Sequence, residues 1–307
     1  MILLVCLDET PVKNIPLWAA LTDAMRAIPG LQVILAGSAL AIGLMRRHPS
    51  VSGVLPLSSA LDGRPYSWLA WRAARHARTA LARSPAQPSL LIDPFGRRSH
   101  RRLARALAVR SAGMAVSTRA DRDYSSVYPL PPALHAVQSV RVLFAAALGY
   151  SLHDLAPDFG LPLCGEWPAD RAVADGVEVD LLVDWQAIPW TSEEQNVLKG
   201  HLAASGLRVV YLPVESQADD RLLENLPLLD STRYLLSGNG SLAWFAAAIG
   251  KPGLCVCAAG TAKSKGLIST RFARQKMLNI DDPALTRPQV VAESIIQVLS
   301  RRNTALV

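Results

Sequence analysis

The first thirty residues, MILLVCLDETPVKNIPLWAALTDAMRAIPG, place an apolar strand directly before a charged loop and a helix. Residues 2–7 form a continuous apolar run, which is too short for a buried helix and typical of a parallel strand covered on both faces. Residues 8–14 follow, and Pro16 suits the first turn of a helix. In open α/β sheets, ligands bind beyond the carboxyl ends of the strands. This order predicts a nucleotide-binding type of α/β domain with its site at residues 8–14.

Strand and helix patterns alternate along the whole chain, which predicts parallel, doubly wound sheets. Strands are expected at residues 2–7, 31–36, 54–57, 89–92, 112–116, 177–183, 208–212, 234–236 and 253–257. Helices are expected at residues 66–83, 99–107, 133–148, 191–206, 221–228, 242–249 and 286–301, with a loop at 119–132. Gly149 is expected to end one helix, and Thr191 with Glu194 forms a capping box at the start of another.

The length of 307 residues and a 50% hydrophobic composition are enough for two domains with separate cores. Residues 152–174 contain three prolines and follow neither a helical nor a strand period. The expected organisation is an N-terminal Rossmann-like domain at residues 1–155, a linker at 156–175 and a C-terminal Rossmann-like domain at 176–307.

Several segments resemble the bacterial lipopolysaccharide heptosyltransferases of glycosyltransferase family 9, heptosyltransferase I in particular. They are ALTDAMRAIPG at residues 20–30, HAVQSVRVLFAAALGYS at 135–151 and AAAIGKP at 246–252, with shorter matches at 92–96 and 266–268. The resemblance implies a GT-B fold, in which two doubly wound domains face each other across a cleft. It also implies inverting, metal-independent transfer of heptose from ADP-heptose to a lipopolysaccharide inner-core acceptor, lipid A carrying Kdo.

Three polar functions of the family are missing at the positions that match. The aspartate that acts as the family's general base aligns with Lys13, and an ammonium group cannot accept a proton. The family's D-T-G-L-x-H pattern is replaced by residues 239–244, NGSLAW, and its donor-binding lysine by Ile188. Asp8 and Glu9 are the candidates for a displaced base, although exposed loop carboxylates are usually only solvated. Lys13 could instead bind a donor phosphate.

The turn at residues 237–241, SGNGS, lies between an expected strand and an expected helix. Small residues at such a place let backbone N–H groups approach a phosphate at the helix N-terminus, but they also occur in ordinary tight turns. The resemblance implies donor binding by Asn239, Gly240 and Ser241, and by a second loop that contains Gly260, Thr261 and Gly266.

Positive charge is concentrated in the first half of the chain. Residues 1–150 contain 18 Lys and Arg against 7 Asp and Glu, a net of +11, whereas residues 151–307 have a net of −4. The arginines could be the solvated faces of helices, a surface for anionic lipid or glycolipid, or a nucleic-acid surface. No aromatic residue interleaves with the run at 97–102, which argues against nucleic acid. Arg97 and Arg98 follow an expected strand and are candidates for acceptor binding.

The remaining features bear on location and on cofactors. No apolar stretch is long enough to span a bilayer and the N-terminus lacks a basic region with a cleavage site, which predicts a cytoplasmic protein. The lipid acceptor implied by the resemblance adds peripheral association with the inner membrane. The four cysteines lack zinc spacing, and neither a metal nor another cofactor is expected. Two function classes remain open: an active glycosyltransferase, and an inactive GT-B protein that binds a glycan or nucleotide or acts as a scaffold.

Overall fold

The computed structural model describes residues 1–58, 68–83, 87–107, 109–114, 123–131, 134–152, 157–160, 179–212, 222–259 and 277–304. The chain divides into two compact units, Met1–Leu161 and Pro162–Val307. Most of the expected linker at 156–175 lies outside the described residues, so its boundaries stay a prediction. The arrangement of two domains across a cleft also stays a prediction.

The first unit contains six strands and five α-helices in the described residues. The strands are β1 Ile2–Cys6, β2 Gln32–Gly37, β3 Val51–Pro56, β4 Leu90–Asp93, β5 Arg110–Met114 and β6 Ser126–Tyr128. The helices are α1 Ile15–Ala27, α2 Ala39–Met45, α3 Trp68–Ala82, α4 Arg98–Leu107 and α5 Ala136–Leu148, with a short 3-10 helix at Pro11–Asn14.

All strand pairs of this sheet are parallel, and the strand order is β3-β2-β1-β4-β5-β6. The chain builds outward from β1 to β3 and then returns to place β4 on the other side of β1. The strand order therefore reverses between β1 and β4, and in doubly wound sheets this switch point is where ligands bind. The loops that follow β1 and β4 meet at this place.

Both faces of the first sheet are covered, as its continuous apolar strands require. Leu4 and Cys6 of β1 belong to a core cluster with Leu81 of α3 and Leu103 of α4. Helices α1 and α5 contact each other. The buried Arg141 of α5 donates from Nε to Oδ2 of Asp23 in α1 at 2.6 Å, which ties the two helices together.

The second unit is a smaller parallel sheet with helices. Its strands are β7 Val179–Asp184, β8 Val209–Leu212, β9 Thr232–Gly238, β10 Gly253–Val256 and β11 Met277–Ile280. Its helices are α6 Ser192–Ala203, α7 Leu222–Ser231, α8 Ser241–Ala248 and α9 Pro288–Thr304. The order β11-β10-β9-β7-β8 reverses between β7 and β9, which is the switch point of this sheet.

All nine strands expected from the sequence are present, and Gly149 caps α5 in the left-handed conformation at φ 76°. The capping box of Thr191 and Glu194 is also confirmed, although α6 ends at Ala203 rather than at residue 206. Among the described residues, one α-helix and two strands were missed. They are α2, which is short, β11, and β6, whose three residues lie inside the stretch expected to be a loop. None of the described helices is long and apolar enough to cross a bilayer.

Gly238, the last residue of β9, has no room for a side chain. A Cβ atom there would lie 2.1 Å from the carbonyl carbon of Ala187 and 2.3 Å from the nitrogen of Ile188. Gly238→Ala should therefore lower the free energy of unfolding by about 1–3 kcal/mol, because backbone atoms must move apart. Urea denaturation measures this loss.

Gly200 in α6 is the matched control, because a Cβ atom at this position would have no other atom within 4 Å. Gly200→Ala should raise the free energy of unfolding by about 0.5–1 kcal/mol, since alanine is the better helix former. Equal stabilities of the two variants would contradict the close approach at Gly238.

Candidate active site

Asn14 organises the loop after β1 from inside. Its Oδ1 accepts from the backbone N–H of Asp8 at 2.7 Å, and its Nδ2 donates to the carbonyl of Asp8 at 2.9 Å. The same Nδ2 lies 3.3 Å from the carbonyl of Thr10. Asn14 is fully buried. One side-chain amide thus satisfies the backbone groups of a loop that leaves the sheet, and it fixes the place of Asp8 and Glu9.

The Asp8 carboxylate is buried and bound by Arg97 from the loop after β4. Arg97 Nε donates to Asp8 Oδ2 at 2.9 Å and Arg97 Nη2 to Asp8 Oδ1 at 3.1 Å, which is the two-bonded arrangement that guanidinium groups favour. Arg97 Nη1 also lies 2.9 Å from Oε2 of Glu9. The three side chains join the two loops at the switch point of the first sheet.

The two candidate carboxylates differ in accessibility. The Asp8 side chain is 6% exposed and that of Glu9 is 55% exposed. Burial on its own would raise the pKa of Asp8, but the hydrogen bonds from Thr10 N–H and Arg97 and the charges of Arg97 and Lys13 lower it. A carboxylate stabilised in this way as an anion is a weak proton acceptor. Glu9 is the more accessible of the pair.

A second buried network consists of hydrogen bonds among Asp93, His100 and Tyr124. His100 of α4 places Nδ1 2.8 Å from Oδ1 of Asp93 and Nε2 3.1 Å from the carbonyl oxygen of Leu7. The two ring nitrogens thus lie within hydrogen-bond distance of two oxygen atoms from different segments. The Tyr124 hydroxyl donates to the other Asp93 oxygen, Oδ2. His100 therefore links the end of β4 to the residue that precedes Asp8.

The charge balance of this network favours the ionised form of Asp93. Burial of this completely enclosed carboxyl would raise its pKa, but the charge of His100 and the hydrogen bonds from His100, Tyr124 and the N–H of Phe95 lower it. The N–H groups of Phe95 and Gly96 both donate to Oδ1, at 2.9 and 3.1 Å. Asp93 thus shapes the loop that presents Arg97.

The second unit has a related arrangement at its own switch point. Asp184 ends β7, and it accepts from Ser237 Oγ at 3.1 Å and from the N–H of Gln186 at 3.0 Å. Burial raises the pKa of Asp184, and these two hydrogen bonds only partly oppose the rise. The carboxyl group fixes the turn after β7 against the end of β9. Ala187, in that turn, has a φ of 59°.

The turn after β9 has the geometry of a helix N-terminus. Gly240 is the N-cap residue of α8, with no side-chain cap bond, and its N–H donates to the carbonyl of Gly238 at 2.8 Å. Ser241 is buried at the start of α8. Ile188, which the sequence motifs match to the family's lysine, is part of the apolar core of the unit. The environment of residue 188 is therefore one for a hydrocarbon side chain.

The structure brings some of the predicted site residues together and leaves others apart. Asp8, Glu9 and Arg97 form one cluster, Lys13 is exposed in the same loop, and Arg98 is exposed at the start of α4. Asn239, Gly240 and Ser241 lie at the second switch point. Gly260, Thr261 and Gly266 lie outside the described residues. The roles given to all of these residues stay predictions.

Sequence reasoning missed Asn14 and the Asp93, His100 and Tyr124 network. Asn14 is the last residue of the 3-10 helix, in a loop whose most prominent sequence feature is its charge. His100 stands between arginines, in a segment whose pattern indicates a basic helix face. Tyr124 lies in the stretch expected to be a loop. The one usable signal was Asp93, a charged residue directly after an apolar strand.

Comparison with known proteins supplies the broader context. No family model matches the chain. Lipopolysaccharide heptosyltransferase 1 of Pseudomonas aeruginosa is 33% identical over 155 residues, which is 46% of this chain and 41% of that protein. The matched region thus spans less than half the length of this curated relative.

Solved structures match over nearly the whole chain. The Escherichia coli heptosyltransferase WaaC with ADP has a TM-score of 0.74 at 21% identity, covering 98% of this chain and 99% of that one. The E. coli ADP-heptose lipopolysaccharide heptosyltransferase II has a TM-score of 0.67 at 15% identity, covering 99% and 100%. A family 9 glycosyltransferase from Veillonella parvula has 0.66 at 11% identity, covering 97% of both chains.

The chain has the GT-B fold of these structures, and over 155 residues it is similar to a lipopolysaccharide heptosyltransferase. Because their sequence identities are low, the structural matches support the fold alone. The sequence match supports the similarity to the heptosyltransferases. The resemblance found in the sequence motifs is thereby confirmed. The departures from the heptosyltransferase pattern that the sequence motifs indicate at residues 13, 188 and 239 stay predictions.

Asp8 should contribute to stability in a pH-dependent way. Because its pKa is lower in the folded protein, the stabilisation is complete above the unfolded value of about 3.9 and is lost as the pH falls through the folded pKa. Asp8→Asn should cost about 1–3 kcal/mol at pH 7 and clearly less at pH 3. Urea denaturation at the two pH values measures the difference.

Glu293→Gln, at an exposed position on α9, is the control and should change the stability little at either pH. A cost of Asp8→Asn that is the same at pH 7 and pH 3 would contradict the ion pair with Arg97.

Proposed function

We propose that this protein is a glycosyltransferase that moves heptose from ADP-heptose to a lipopolysaccharide inner-core acceptor, lipid A carrying Kdo. Transfer would proceed by direct displacement of ADP with inversion at the sugar carbon and without a metal ion. The observation that carries the proposal is the match, over 98% of the chain, to a heptosyltransferase solved with ADP. The 33% identity to a lipopolysaccharide heptosyltransferase over 155 residues supports it.

The donor is assigned to the second unit. The N-terminus of α8 with its glycine turn, residues 238–241, offers backbone N–H groups and the positive end of a helix, both of which favour a diphosphate. Asn239, Gly240 and Ser241 would contact the donor there, together with Gly260, Thr261 and Gly266 of the following loop.

The proton acceptor is assigned to the first unit. Direct displacement requires a base that removes the proton of the acceptor hydroxyl as the oxygen attacks the sugar carbon. Glu9 is exposed and contacts Arg97 through one oxygen, whereas Asp8 is buried and doubly bound. We therefore assign the base to Glu9, and to Asp8 the part of holding Arg97. Arg97, Arg98 and Lys13 would attract the phosphates of the acceptor or the donor.

The acceptor also implies a location. Lipid A is a membrane lipid, so we propose that the protein works in the cytoplasm at the inner-membrane surface. The excess of arginine in the first half of the chain supports attraction to an anionic surface.

A second candidate function is a binding or scaffolding protein with the same fold. Specific observations favour it. Lys13 replaces the family's base, Ile188 is buried in the core at the position of the donor-binding lysine, and Arg97 is already occupied by two carboxylates. A protein of this class would bind a nucleotide or a glycan without turnover.

Nucleotide binding is the first test of the proposal. ADP or ADP-heptose at 100 times its dissociation constant should stabilise the protein by about 2.7 kcal/mol. Thermal denaturation with ADP, ADP-heptose and UDP-glucose measures the effect, and UDP-glucose should give a smaller shift. The absence of any shift with the three nucleotides up to millimolar concentration would contradict the donor site.

Turnover of the Glu9→Gln variant is the second test. With ADP-heptose and lipid A carrying Kdo, release of ADP should fall about 10²–10⁴-fold relative to the wild type, because the base is lost. The affinity for ADP-heptose should change much less than the turnover, since the main donor contacts are assigned to the second unit. Glu293→Gln is the matched control and should keep wild-type turnover.

The other outcomes separate the alternatives. Full turnover in Glu9→Gln with loss in Asp8→Asn would move the base to Asp8. Full turnover in both variants would contradict a base in this loop. Binding of ADP-heptose without turnover in the wild type would favour the binding-protein function.

A further inference from the structure

Helix α3 presents an unusual exposed surface. Trp68, Leu69 and Trp71 are 62%, 58% and 59% exposed. Large apolar side chains exposed together in this way mark interaction sites more often than ordinary surface. The opposite side of the same helix carries Ala74, Ala77 and Leu81, which are buried. The helix is therefore held in the unit by one face, while two indole rings remain on the other.

Arginines continue this exposed face along the helix. Arg72 lies over the ring of Trp68 with its guanidinium carbon 5.2 Å from the ring centroid, and Arg75 lies over Trp71 at 5.5 Å. Arg78 is exposed one turn further on. The helix contains no acidic residue. We name this surface, formed by Trp68, Leu69, Trp71, Arg72, Arg75 and Arg78, the α3 face.

Several other arginines of this half of the chain are less available, because they pair with carboxylates. Arg101 and Arg105 of α4 pair with Asp123, and Arg97 pairs with Asp8 and Glu9. These cations are partly neutralised by carboxylates of the protein itself. The α3 face instead combines positive charge with exposed apolar area. Tryptophan prefers the boundary between water and lipid tails, where its ring is buried and its N–H remains hydrated.

We propose that the α3 face is a membrane-binding surface that docks on an anionic lipid bilayer. Trp68, Leu69 and Trp71 enter the interfacial region, and Arg72, Arg75 and Arg78 bind lipid phosphates. Charge complementarity selects an anionic bilayer as the occupant, because all the charges of this face are positive. The inference adds a place and a mode of binding to the membrane association proposed above. It does not depend on sugar transfer, since lipid binding is measured without donor or acceptor.

Nucleic acid is the competing partner for a surface of this composition. Stacked tryptophan and arginine side chains also bind the bases and phosphates of single strands. The run at 97–102 lacks interleaved aromatic residues, but α3 has them, so the sequence argument against nucleic acid does not extend to this helix. The apolar Leu69 beside the two rings favours the bilayer, because stacking on bases gains nothing from an exposed leucine.

Flotation of the full chain with vesicles tests the proposal. The wild type should bind vesicles of phosphatidylcholine with 30% phosphatidylglycerol and should bind pure phosphatidylcholine much more weakly. Added salt should weaken the binding. Arg72→Gln with Arg75→Gln should reduce the partition coefficient about 25-fold, about fivefold for each arginine, which corresponds to about 1 kcal/mol each. Arg208→Gln with Arg287→Gln removes the same charge from exposed positions of the second unit and should have little effect.

The tryptophans are tested separately from the charges. Trp68→Ala with Trp71→Ala should weaken binding at least about tenfold and make the remainder fully sensitive to salt, because the apolar contribution is lost. Leu285→Ala, at an exposed leucine of the second unit, is the apolar control. In Trp68→Phe with Trp71→Phe, vesicle binding should persist, while quenching of protein fluorescence by brominated lipids should largely disappear.

Each other outcome overturns the proposal. Wild-type binding by both the Arg72→Gln, Arg75→Gln variant and the Trp68→Ala, Trp71→Ala variant would place the membrane contact elsewhere and leave the membrane association itself standing. Absence of binding to any vesicle would contradict both the membrane-binding role of the α3 face and the membrane association itself. If the wild type binds a single-stranded oligonucleotide more tightly than anionic vesicles, and the Trp68→Ala, Trp71→Ala variant loses this binding, the α3 face would be assigned to nucleic acid.

Discussion

Buried carboxylates at the ends of central strands are the constraint on which both candidate sites depend. A carboxylate taken out of water is stable only when hydrogen bonds and positive charge replace its hydration. Asp93 forms hydrogen bonds with His100, Tyr124 and two backbone N–H groups, and Asp8 forms hydrogen bonds with Arg97. Asp184 accepts hydrogen bonds from Ser237 and from a backbone N–H. Because the side-chain partners come from other segments and the N–H partners from the loops themselves, satisfying these carboxylates also fixes the loops at the switch points.

The fold could be predicted because its signals are local. Short apolar runs between polar loops identify parallel strands, and a threonine three residues before a glutamate identifies the start of α6. Strand β6, which was missed, lacks such a signal. Strand β6 has three partly buried residues, and it is a strand because its backbone pairs in parallel with that of β5. A single sequence does not contain that pairing.

The contacts of the site were less predictable than its location. The sequence placed Asp8, Glu9 and Arg97 at strand ends, but their pairing joins residues 89 positions apart for Asp8 and Arg97. The same holds for His100, whose ring reaches the carbonyl of Leu7 across the sheet. On α3 the rings and guanidinium groups are four residues apart, so the Trp68–Arg72 and Trp71–Arg75 pairs were readable from helical spacing alone.

The arginines in the first half of this chain therefore have two different roles. Arginines such as Arg97 and Arg141 act within the protein, where they pair with buried or half-buried carboxylates and hold segments together. Their charge contributes little to the field outside, because a neighbouring anion cancels it over short distances. The arginines of α3 have aromatic rings as neighbours, and a ring attracts a cation without cancelling its charge. A net charge counted from the sequence combines both groups, and only their contacts separate the arginines that stabilise the fold from those that can meet a partner.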